Sequence, residues 1–114
     1  MPERACADDP VLLERLRTWA WDRGRTDVIL DLDLHACAWE FQRCCSRQTL
    51  VRLAAVLPGG ALADGLEHEV RRYVDSGQSH MDVAALHRSL WDWCTQLCQR
   101  LAADLSEMAA EVGR

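Results

Sequence analysis

The chain has 114 residues, 49% of them apolar and 27% charged, and a formal net charge of −5 at pH 7. That length fits one domain with a modest core, and the composition matches neither a disordered acidic tail nor a membrane protein. The acidic balance opposes direct nucleic-acid binding, because phosphate contacts need concentrated positive charge, and no apolar run approaches the ~20 residues that span a bilayer.

Residues 1–8 are set apart as a segment that need not be ordered; they lack the basic start and apolar stretch of a secretory signal, so the expected compartment is the cytoplasm. Lysine and asparagine are absent and all 13 basic residues are arginine, a bias expected of a GC-rich genome, either bacterial or that of a large DNA virus.

Asp9-Pro10 is a helix start, a capping carboxylate followed by proline at the first helical position. Leu12, Leu13, Leu16, Trp19 and Ala20 follow as one stripe, Gly24 ends the helix, and Trp21 falls off the stripe. The segment from Asp27 to Cys45 is ambiguous. Leu30, Leu32 and Leu34 alternate with polar residues as in a strand, which leaves a strand over residues 28–35 as the alternative. Leu30, Leu34, Cys37, Phe41 and Cys44 follow helical spacing over a longer window, as do Val28, Leu32, His35 and Trp39, so the reading adopted is a helix.

Ser46 restarts the chain into a helix with Leu50, Leu53, Ala54 and Leu57 on one face, stopped by Pro58-Gly59-Gly60. A fourth helix carries Leu62, Leu66, Val70, Tyr73 and Val74, with Gly77 as its C-cap. Ser79 and Asp82 read as a capping box that opens a last helix over residues 79–113. Such a helix would be roughly 50 Å long at 1.5 Å per residue, long against the ~13 Å radius of gyration of a 100-residue domain. Leu90, Cys94, Leu97, Leu101, Leu105, Met108 and Val112 recur at a mean spacing of about 3.67 residues, which holds one face apolar along the helix. The expected architecture is therefore a single all-α domain of four to five helices with a long C-terminal amphipathic helix, paired into a homodimer that shares this helix.

No residue set announces a reaction. Asp31, Asp33 and His35 are two apart and diverge on a helix. No nucleophile elbow or phosphate loop is present, so no catalytic residue, cofactor or metal is assigned. Six cysteines allow a competing reading: Cys44, Cys45, Cys94 and Cys98 as a zinc site, or a Cys44–Cys98 bond as a redox switch. Reduced cysteines on apolar helix faces also serve as small hydrophobes, and that is the reading preferred.

The tryptophans point to binding. Trp is enriched among interface hot spots, and Trp91 and Trp93, two apart, cannot both face one core. The expected partner-binding residues are Trp21, Leu90, Trp91, Trp93, Leu97, Leu101, Leu105 and Met108. In size, acidity and helical content the chain resembles the small bacterial antiactivators that bind LuxR-type quorum-sensing regulators, with Leu90 to Met108 standing where those proteins have a long partner-binding helix. The resemblance implies a transcription regulator as partner, and inhibition by blocking its dimerisation without DNA contact. A secretion or assembly chaperone shares the same size, charge and helicity and is the other alternative.

Overall fold

The computed structural model describes residues 9–112 as five α-helices, with no strand among them. The expectation for residues 1–8 lies outside the described residues, as does the end of the last helix at residue 113.

Helix α1 (Pro10–Asp22) starts as its sequence dictates: Asp9 Oδ1 accepts from the amides of Val11 at 3.0 Å and Leu12 at 3.4 Å. Gly24, at φ +64°, turns the chain into α2 (Thr26–Cys44). Residues 28–35 are thus helical, and the strand alternative falls. In a strand, Leu30, Leu32 and Leu34 would share one face; here Leu32 and Leu34 are buried while Leu30 is 48% exposed. Of the two helical stripes, Val28, Leu32 and His35 are buried with Trp39 half-buried, and Leu34 and Phe41 are buried with Cys37 half-buried, while Leu30 and Cys44 of that second stripe are exposed.

Helix α3 (Arg47–Val56) is opened by a reciprocal cap, Thr49 N–H donating to Ser46 Oγ at 3.2 Å and Ser46 N–H to Thr49 Oγ1 at 3.0 Å. Helix α4 (Asp64–Ser76) ends at Gly77, whose φ of +73° allows its amide to reach Tyr73 O at 2.8 Å. Helix α5 (Val83–Val112) starts four residues later than the Ser79 cap predicts. The reason is tertiary. Ser79 Oγ donates to Glu69 Oε2 at 2.8 Å and accepts from Met81 N–H at 3.0 Å. Asp82 caps the helix instead, accepting from Ala84 N–H at 3.2 Å.

The chain divides into two units, Met1–Ala36 with Thr95–Arg114, and Cys37–Cys94. In the first, Leu16, Ala20, Val28, Leu97 and Leu101 are inaccessible or nearly so. Arg17 Nη2 reaches Asp33 Oδ1 at 2.8 Å between α1 and α2, and Arg100 Nε reaches Asp31 Oδ2 at 3.2 Å between α5 and α2. In the second unit, Phe41, Leu50, Leu53, Ala54, Leu86, Leu90 and Cys94 form the core. Phe41 stacks on His87 at 5.7 Å, Arg71 Nη1 donates to Ala54 O at 2.9 Å, and Arg47 lies 5.6 Å from the Tyr73 ring centre. Arg52 pairs with Glu40 at the surface.

Candidate functional site

The eight residues expected to bind a partner divide sharply. Leu90, Trp93, Leu97, Leu101 and Met108 are buried within the chain, between 0 and 8% exposed. The apolar face of α5 is therefore covered within the chain at these five positions. Trp91 and Leu105 are half-buried. Trp21 alone of the eight is exposed, at 74%.

Trp21 stands one helical turn beyond Arg17, whose guanidinium ties α1 to Asp33 of α2. Its backbone is held by the tight end of α1, where Gly24 N–H donates to Trp21 O at 3.2 Å and Arg25 N–H to Ala20 O at 2.8 Å. Leu30, also exposed, lies one turn nearer the loop than Asp33. The two apolar side chains thus stand on helical backbone, one on each side of the turn at Gly24. Anchors presented in this way lose little conformational freedom on binding.

Trp19 behaves differently. It is 6% exposed, its indole N–H donates to Glu111 Oε2 at 3.0 Å, and Arg23 stacks 4.8 Å from its ring centre. Arg23 also holds Glu111, its Nε donating to Oε2 at 3.1 Å, so the last turn of α5 is clasped to the end of α1. Beside this clasp runs an open groove of about 1210 Å³ along the outer face of α1, bordered on α5 by Met108 and Ala109. Sequence reasoning passed over this face. Its signal was a second, mostly polar stripe of Val11, Arg15, Thr18 and Asp22 at helical spacing, with Val11 left 63% exposed.

The corner also concentrates charge. Arg25 bonds Asp27 through Nε and Nη2, each at 3.1 Å, with Asp104 at 3.8 Å and Glu107 at 3.6 Å. The Arg25 contact holds the Asp27 carboxyl below the usual range. Burial pushes Asp104 above it, opposed by Arg25.

The cysteines do not assemble into the competing site. Cys37, Cys44, Cys45 and Cys94 are free thiols, while Cys98 is in a disulfide and so is not available to Cys44. Among the described residues no three His, Cys, Asp or Glu side chains converge to hold a metal ion. Cys94 is fully buried, and burial, with a smaller contribution from Cys45, pushes its thiol up to about 12. A buried thiol with that pKa packs; it does not attack. No helix of the described residues is long and apolar enough to cross a membrane.

No protein-family model, curated protein or solved structure matches this chain.

Proposed function

We propose that the protein is a small acidic regulator that acts by binding and sequestering another protein, with the corner of α1 and α2 as the contact and Trp21 as its anchor. The observation that carries this reading is the 74% exposure of a tryptophan on a helix whose other large apolar residues are largely covered, apart from Val11. A free indole on rigid backbone supplies large apolar area at small entropic cost, which is the character of a binding hot spot. The residues of α5 from Leu90 to Met108 hold the scaffold, and the partner-facing role first read into them passes to Trp21 with Leu30.

An antiactivator, binding a transcription regulator so that it cannot dimerise, is the form of this function that the resemblance in size, acidity and helicity supports. Affinity capture from the source organism, run side by side with wild type and Trp21→Ala, tests it. The expected result is a partner retained by wild type and lost from the variant, with affinity reduced about ten- to thirty-fold. Capture of a transcription regulator supports the antiactivator form, and a secreted substrate points to a chaperone instead. A partner held equally well by both proteins removes Trp21 from the interface.

A further inference from the structure

We infer that the outer face of α1 is a self-association surface that takes a second copy of α1 in antiparallel orientation. Arg15 and Asp22 both line the groove on this face, and both are exposed. Among the described residues neither side chain has a hydrogen-bond or ion-pair partner, in a unit where Arg17, Arg23, Arg25 and Arg100 all do. They are seven residues apart, so they lie within ~20° of each other around the helix and ~10 Å apart along it.

That spacing specifies its own complement. Where two copies meet about a two-fold axis, residue i of one meets residue j of the other, and j meets i. Centring the axis between Thr18 and Trp19 places Arg15 against the partner's Asp22 and Asp22 against the partner's Arg15 in the same step. In this register the two helices overlap from residue 15 to residue 22 and the two pairs close the two ends of that overlap, so one register satisfies both. A parallel copy would set like charge against like. A ligand of uniform charge would satisfy one residue and repel the other. Only a surface carrying both signs in reverse order fits, and α1 itself is such a surface. Trp21 does not line the groove, so self-association and partner capture use different sides of one helix.

The inference does not rest on the regulator reading, since its test reads assembly and the Trp21 test reads capture. The experiment is sedimentation equilibrium of the full chain, with circular dichroism to verify that each variant is folded. Wild type is expected to dimerise at or below about 100 µM, and added salt is expected to weaken the dimer. Arg15→Glu and Asp22→Arg should each weaken it about ten-fold or more, and the Arg15→Glu/Asp22→Arg double variant should return it to within a few-fold of wild type. A monomeric wild type, a dimer indifferent to salt, single variants that dimerise normally, or a double variant that stays weak would each overturn the proposal.

Discussion

Trp19 and Trp21 are two positions apart on α1, a rotation of roughly 200° around the helix. One is 6% exposed with its N–H bonded to Glu111, and the other is 74% exposed. The sequence stripe of Leu12, Leu16 and Trp19 foretold which would be buried, because periodicity reports helix faces directly. It did not foretell the Glu111 clasp, which joins residues 92 positions apart. The cysteines follow this logic only in part: the reduced, packing role expected of them holds for Cys94, but Cys44 of the α2 stripe is exposed and Cys98 is in a disulfide. Cys94 is covered on a core face, whereas Cys44 and Cys45 end α2 in solvent, with Cys45 at a left-handed φ of +42°. A thiol held near 12 leaves almost no thiolate at neutral pH. Alkylation of the native protein at pH 8, mapped by peptide mass, should therefore leave Cys94 unmodified until denaturant is added. Rapid native labelling of Cys94 would mean that the core around it opens readily.

Caps explain most of what was legible among the elements. Asp9, Ser46 and Gly77 each act within a few residues of the helix end they define, so their roles can be read from adjacent sequence. Ser79 instead belongs to the loop before α5, its hydroxyl donating to Glu69, ten residues upstream. The same carboxylate accepts the His80 amide at 2.8 Å, and these bonds hold its pKa below the usual 4.5. A carboxylate lowered in the folded state adds stability that is present above its unfolded value and is lost as pH falls through its folded one. The loop between α4 and α5 should accordingly loosen in acid below about pH 4.5 before the core does. Amide exchange at His80 and Met81, corrected for intrinsic rates, measures this, and Glu69→Gln should show the looser loop already at neutral pH. Unchanged protection in both conditions would remove Glu69 as the anchor of this loop.

For the whole molecule, the periodicity of α5 revealed how wide its apolar face is but not what covers it. Both an open face and a closed one give the same spacing from Leu90 to Met108. The difference lies in long-range contacts, such as Trp19 with Glu111 and Phe41 with His87, that no local pattern encodes. Burial of Leu90 and Leu97 to 0% exposure decides it. Leu97→Ala should then cost about 2–5 kcal/mol in urea unfolding, the range for a cavity in a closed core. A cost under about 1 kcal/mol would mean that the residue is not packed in a core at all. The ion pairs carry a different consequence. In Arg17–Asp33, Arg100–Asp31, Arg25–Asp27 and Arg52–Glu40 the cation is arginine every time, as it must be in a chain without lysine. A guanidinium keeps its charge beyond about pH 12, where an ammonium would already have lost its own. In Arg25–Asp27 each partner holds the other charged, the guanidinium raised and the carboxyl lowered, so this clasp keeps both charges over a wider span of pH than either group would alone.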